Sequence, residues 1–390
     1  MGLYIGSQRV CPIVKVKGYD SKGKYLVTVI DYDGTILYQD HLDNGAKVYL
    51  PPAPNHEKLT FQGWSCAETI STDSNGSYVT VGEQDVTVGA YYTTVSGMTE
   101  IDIELTSITG LTFTCKMTGT KDWGDGTSDS LTSHTYANYG TYTVKTSSAN
   151  WGSNNSSSGT FGQSSGNINY SVKEVRVGAS INTYNYSYVF SYCYGLKTVS
   201  LKSVTNTTIG SYFMRNAINL QALVIPFGIK SIGSYGFYYA AQALYPVIPS
   251  TVTSFGTYSL MYLQQAVTIP LPQNTSITTL GNSVLSYASM VRTVKIPPKV
   301  TSIGTGTFNG CNSFQYIKFP KTVTSIGGSA FTSTRGCIFD FSEHTSIPTL
   351  GAGAFNSYYP TTKILVPNSL VNNWKTASNW SAYANIIVGV

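Results

Sequence analysis

The chain has 390 residues, only 11% of them charged, with 37 Gly, 30 Tyr and a net charge of +5. Its length exceeds one ordinary core and predicts two to four units at a prior of about 150 residues each, while abundant Tyr, Gly, Ser and Thr with few helix formers exclude a helical protein. No stretch approaches the roughly 18 apolar residues of a membrane span; the opening MGLYIGSQRVCPIVKV has no basic region followed by a long apolar run, so neither a secretory leader nor membrane insertion is expected.

Residues 1–23 are read as an N-terminal attachment segment. From 24 to 95 the chain alternates as half-buried strands do: KYLVTVIDYDGTILYQ is strand, Asp33-Gly34 turn, strand, followed by a corner at Pro51, Pro52 and Pro54 and by FQGWSC and DVTVGAYY. The order DYDGTIL, PPAP, LTFQGW, DVTVGAYY resembles the Listeria–Bacteroides repeat, a small β-grasp-like module of bacterial surface proteins. Asp31 and Asp33 suggest a calcium loop, but Thr35 holds the next alternate position and no Glu stands at the twelfth, so a hairpin turn is expected.

Residues 97–146 form a second unit. Its WGDGT, followed by HTYANYGTYTV, is similar to a PKD-type β-sandwich, in which the Asp-Gly turn packs on a later Tyr-rich strand. His134, Asp125 and nearby serines supply the residue types of a triad, but nothing like GxSxG presents a nucleophile, and a structural role is expected. Residues 147–170, rich in Ser, Asn and Gly, are read as a linker or long surface loop.

From 171 to 367 the chain repeats. Apolar-Gly pairs begin at Ile209, Ile232, Phe255, Leu280, Ile303, Ile326 and Leu350, at spacings of 23, 23, 25, 23, 23 and 24 residues. Five residues after each comes Met214, Phe237, Leu260, Leu285, Phe308, Phe331 or Phe355, and a degenerate copy with Phe190, Cys193 and Leu196 precedes them. Such a unit cannot bury two or three apolar anchors alone but can do so by stacking, which predicts a solenoid of about eight coils. Residues 368–390, with Trp374 and Trp380 in a helix-capable stretch, read as its terminal cap. Together these features resemble the BspA-like leucine-rich repeat, whose members are known as surface adhesins and binding proteins. The fold class expected is therefore mainly β and multi-domain: two small β modules followed by a BspA-like solenoid with a C-terminal cap.

Six widely spaced cysteines (Cys11, Cys66, Cys115, Cys193, Cys311, Cys337) form no CxxC pair and have no His at ligand spacing, so buried thiols rather than zinc or a disulfide framework are expected. No cofactor or metal is expected. Residues 1–170 hold 10 Lys+Arg against 16 Asp+Glu, residues 171–367 hold 13 against 3, and no carboxylate lies between Glu174 and Asp340. A glycosidase needs paired carboxylates, and only Asp340 and Glu343 remain as a pair, so an enzyme is not expected.

Positive charge and tyrosine remain. Arg292, Lys295, Lys299, Lys318 and Lys321 mark a basic stripe that either favours an anionic partner or keeps a polar solenoid soluble. Three residues after the apolar member of the pair stand Tyr212, Tyr235 and Tyr258, matched by Tyr188 in the degenerate coil; seven after stand Tyr239, Tyr262 and Tyr287, matched by Tyr192. Equal phase places them in two ladders, which are either filler between coils or a binding face for sugars or protein loops. The function expected is a non-catalytic adhesin binding host-surface or mucus glycans or proteins. A phage virion is the expected location, because the first 15 or so residues are similar to the starts of some phage structural proteins and no leader is seen. The N-terminal region would then join other virion proteins, and a bacterial surface is the alternative. A homo-oligomer is compatible with this role, and no nucleic-acid module is recognised.

Overall fold

The structure is a computed structural model that describes residues 4–5, 8–9, 25–152, 159–163, 167–204 and 208–390. Of the N-terminal attachment segment only the short pairing of Tyr4–Ile5 with Gln8–Arg9 is described, and the rest of that expectation lies outside the described residues.

The first module alternates in sequence because its strands have one covered face. Tyr25–Ile30 runs antiparallel to Ile36–Leu42 and parallel to Val86–Thr94, which in turn pairs antiparallel with Leu59–Cys66. A three-stranded sheet of Lys47–Tyr49, Gly76–Thr80 and Ile70–Asp73 lies beside it, and Val27, Val29, Val48, Val79, Val81, Val86 and Val88 fill the space between. The Asp33-Gly34 step is a hairpin turn. Gly34, with φ of 93°, donates to the Asp31 carbonyl at 3.0 Å, and the Asp33 carboxylate accepts from the Thr35 amide at 2.9 Å. The Asp31 carboxylate accepts from Tyr32 N at 2.8 Å and meets His56 Nε2 at 2.8 Å, so both carboxylates are engaged within the turn region.

The second unit is joined to the solenoid by its hydrogen-bond ladder. Thr99–Leu105 pairs with Gly140–Thr146 on one edge and with Val172–Arg176 on the other, and Val172–Arg176 then pairs in parallel with Thr198–Ser200. An antiparallel sheet thus becomes the first rungs of a parallel stack. One hydrophobic core follows the same route, running without a break from Ile101 to Ile387. Residues 147–170 are expected from sequence to form a linker or long surface loop, and their described parts, 147–152, 159–163 and 167–170, include residues packed into the core. Trp151 and Phe161 are buried in that core, and Gln163 Nε2 donates to the carbonyls of Tyr188 and Val189 at 3.4 and 2.8 Å. Residues 159–163 thus lie against the first coil, where Gln163 adds to the Ser191 amide that already donates to the Tyr188 carbonyl at 3.2 Å.

The repeat phrase makes two-residue parallel rungs that set like residues over like: Ile209 on Ile232 on Phe255, then Leu280 on Ile303 on Ile326 on Leu350. The ladder is interrupted between Phe255 and Leu280, where the spacing lengthens to 25 residues. Opposite, Tyr316–Lys318, Ile338–Asp340, Lys363–Val366 and Ile387–Gly389 stack in parallel. The solenoid has about nine turns. The C-terminal segment is more than a lid, since Ile387–Gly389 continues the stack. Trp374 and Trp380, 4.5 Å apart, close the core, with Trp380 Nε1 donating to the Pro348 carbonyl at 2.8 Å. The five described cysteines are free and buried; Cys11 lies outside the described residues.

The first module lies along the flank of the solenoid rather than apart from it. Ile30 and Tyr91 pack on Val224 and Val247, Ser65 Oγ donates to the Ile225 carbonyl and Gln84 Nε2 to the Leu271 carbonyl at 3.0 Å.

Candidate binding surface

Each coil turns through an arc after its apolar-Gly rung, and the arc needs two left-handed residues. The third position after the apolar member has φ between 52° and 67° in every coil from Tyr212 to Gly353, and the seventh between 59° and 74° from Asn216 to Ser357. Tyr188 and Tyr192 do the same in the degenerate coil. With these two positions left-handed, the arc's amides point along the stack: Tyr212 N donates to the Ser234 carbonyl at 2.9 Å, Met214 N to Gly236 at 2.7 Å and Asn216 N to Tyr238 at 2.8 Å.

Left-handed backbone favours Gly and tolerates Asn; for a bulky side chain it costs roughly 1 kcal/mol or more. Later coils follow that rule with Gly306, Gly310 and Gly353, or with serine, whereas earlier coils place tyrosine at eight such positions. The rings form the two expected ladders. In the first, Tyr188 stacks on Tyr212 at 4.7 Å and Tyr212 on Tyr235 at 4.8 Å, while Tyr235 meets Tyr258 at 4.7 Å with the rings tilted by 35°. In the second, Tyr239 meets Tyr262 edge-on at 5.4 Å and Tyr262 stacks on Tyr287 at 4.7 Å, while Asn216 separates Tyr192 from the rest. That ladder stops at Gly310 because the Tyr287 ring lies across it: a methyl group there would sit 2.6 Å from a ring carbon. All eight tyrosines are half-buried, and none belongs to the buried core.

One residue absent from the sequence expectations stands among them. The Arg215 guanidinium carbon lies 5.4 Å from the Tyr192 ring centre, 5.5 Å from Tyr212 and Tyr235 and 5.7 Å from Tyr238.

The basic stripe is less free than its charge count implies. Lys295 pairs with Glu83 of the first module at 3.4 Å, and Lys318 with Glu343 at 2.5 Å. Both line a cleft of about 480 Å³ between module and solenoid, with Tyr25, Tyr316 and Pro298. Arg292, Lys299 and Lys321 are exposed. The one carboxylate pair offered by the solenoid is likewise engaged: Asp340 accepts from Tyr316 Oη at 2.6 Å and from the Ser342 amide at 2.8 Å. Burial opposes ionisation of Asp340, but the hydrogen bonds from Ser342 and Tyr316 win and hold it below the ordinary carboxylate range, the opposite of what a general acid needs. His134 meets Asp125 at 2.7 Å and stacks flat on Trp123 at 5.0 Å. Asp125 is held down at about 2, first by the Thr127 hydroxyl and then by His134; its role is to brace the turn beside buried Trp123, whose carbonyl accepts from Tyr136 Oη at 2.9 Å. Among the described residues no group of three His, Cys, Asp or Glu is placed to hold a metal ion.

The BspA-type leucine-rich repeat region model matches six copies over residues 183–297 and 278–379, just over half of the chain. The chain belongs to the BspA-type leucine-rich repeat family. Among solved structures, it is similar to a leucine-rich repeat protein from Bacteroides ovatus, with 16% identity and a TM-score of 0.33 over 50% of this chain and 59% of that one. It is also similar to a leucine rich cell surface protein from Faecalibacterium prausnitzii, with 19% identity and a TM-score of 0.28 over 51% and 66%. The chain spans less than two thirds of either. No curated protein matches it. The BspA-type repeats coincide with the rungs and arcs described above, so the two tyrosine ladders, their Arg215 and the basic stripe all lie within the matched residues.

Proposed function

We propose that the chain is a non-catalytic recognition protein in which the tyrosine-lined arcs of the early coils hold a glycan or protein of a host-cell or mucus surface. The observation that carries this reading is the retention of tyrosine at eight left-handed positions, where glycine serves the same backbone in later coils. A residue that only spaced the coils would not need to be bulky at a position that penalises bulk. Aromatic side chains supply large contact area at low entropic cost, which is what a recognition face requires. The engaged state of Asp340, Glu343 and Asp125 supports a role without catalysis.

In this reading residues 24–95 are a Listeria–Bacteroides-like module and residues 97–146 a PKD-like one. Both brace the solenoid, and the N-terminal segment joins the chain to other proteins. The location proposed is a phage virion, on the resemblance of the first 15 or so residues to phage structural proteins; membership of a repeat family that resembles surface adhesins favours a bacterial surface as the second reading. Binding of the full chain to intact bacteria and to immobilised mucin tests the role: the double variant Tyr235→Gly/Tyr258→Gly should keep its melting temperature within a few degrees and lose binding. A folded double variant that binds as the natural chain does would remove the ladders from the site. Mass spectrometry of purified virions and of cell-wall fractions decides the location, and recovery from cell walls alone would sink the virion.

A further inference from the structure

Arg215 stands alone in the repeat. The corresponding sixth position holds Tyr238, Met261, Ser286, Asn309, Thr332 and Asn356 in later coils, so the repeat's packing does not call for a cation there. The guanidinium is collared by four tyrosine rings at 5.4–5.7 Å. Its Nε is buried without a hydrogen-bond partner, and among the described residues it forms no ion pair. The stretch that surrounds it has no carboxylate between Glu174 and Asp340 to supply one. An arginine held by aromatic faces, partly stripped of water and with its buried Nε left without a partner is preorganised to present the outer edge of its guanidinium to an anion from outside.

We propose that Arg215 and its collar form a subsite for a carboxylate-bearing saccharide, a uronic- or sialic-acid unit, which rests on the recognition role proposed above. The planar guanidinium presents paired N–H donors that match the two oxygens of a carboxylate. The phenol hydroxyls of Tyr192, Tyr212, Tyr235 and Tyr238 beside the guanidinium can donate to and accept from sugar hydroxyls. A peptide strand is the poorer occupant. The arc amides at Tyr188, Phe190, Tyr192, Tyr212, Met214 and Asn216 already donate to the following coil, so this face has no row of open donors on which an extended peptide could add.

Calorimetric titration of the full chain tests the subsite with three saccharides: 3′-sialyllactose, a glucuronate-containing hyaluronan tetrasaccharide, and neutral lactose. One acidic saccharide should bind at least about tenfold more tightly than lactose, the size expected of a charge-assisted pair. Which one binds tells a sialylated mucus glycan from a uronate polymer. Arg215→Gln should abolish the preference with a melting temperature lowered by only a few degrees, since it loses cation–π contacts but breaks no internal ion pair, and Arg215→Lys should keep only part of the preference because the planar fork is gone. The proposal is overturned if lactose binds as well as both acids, if Arg215→Gln keeps the preference, or if a glutamate-rich peptide displaces the saccharide at equal concentration. Mucin binding separates the two levels: Arg215→Gln that still binds mucin as the natural chain does removes the subsite and leaves the recognition role, whereas a natural chain that binds neither mucin nor cells removes both.

Discussion

A tyrosine at φ near 60° inverts the usual ranking of small substitutions. In ordinary strands and helices Ala outperforms Gly because Gly has more freedom to lose on folding. At Tyr235, whose φ is 57°, Ala keeps the clash of Cβ with the backbone and loses the ring, whereas Gly loses the ring and relieves the clash. Tyr235→Gly should therefore be more stable than Tyr235→Ala by about 1 kcal/mol in urea unfolding. Equal or reversed stabilities would remove the claim that the arc stores strain. The same residues set the limit of what could be read from sequence. The three- and seven-residue phases of the ladders were legible because they repeat, and a column holding Gly in some coils and Tyr in others is the signature of a left-handed site, though tyrosine by itself never announces one. Arg215 was missed because it does not repeat. Lys295 looked free because its partner Glu83 is more than 200 residues away, a distance over which regional charge counts carry no contact.

Among the elements, the rungs, arcs and C-terminal tryptophans were legible, since each has periodic apolar anchors; the packing of 159–163 against the first coil was hidden because Trp151 and Phe161 are isolated in a polar stretch. The flank contact of the first module was hidden as well, and it depends on one glycine. A methyl group at Gly89, in the strand Val86–Thr94, would lie 2.8 Å from both Val224 methyls and 2.9 Å from Val247. Gly89→Ala should loosen this contact at a cost of about 1–3 kcal/mol, the usual range for overpacking, seen as faster proteolysis between the first module and the solenoid. Val224→Ala in the same chain should restore part of the loss by opening space, and a double-mutant cycle with no coupling would show that the two surfaces do not meet.

For the whole molecule, a stack is only as secure as its ends, because each coil is held chiefly by its neighbours. The two ends differ in their chemistry. At the N-terminal end Arg176 is buried with Asp102 at 2.7 Å, Glu174 at 3.0 Å and Glu100 at 3.2 Å, and Tyr32 of the first module donates to Glu174 at 3.0 Å. Asp102 is held below its ordinary value: burial opposes this, but the Arg176 and Thr143 hydrogen bonds prevail. That contribution is present at neutral pH and is lost only as the pH falls below the usual aspartate range. At the C-terminal end His344 is buried against Phe341 and Trp374, and neither ring nitrogen has a hydrogen-bond partner. Burial pushes its pKa down, while the nearby Val323 and Phe341 backbone and the Asp340 and Glu343 carboxylates pull the other way without prevailing.

The folded chain therefore holds His344 neutral where the unfolded chain protonates it, and stability falls as pH drops below about 6.5, by at most about 1.4 kcal/mol per pH unit for this one group. Acid should open the stack from its C-terminal end first. Hydrogen exchange at pH 5 compared with pH 7, corrected for intrinsic rates, should show Lys363–Val366 and Ile387–Gly389 losing protection while Thr99–Leu105 and Val172–Arg176 keep theirs. His344→Phe should flatten the difference without altering the N-terminal end. Protection lost first at the N-terminal strands, or lost equally in the His344→Phe chain, would assign the acid weakness to other groups.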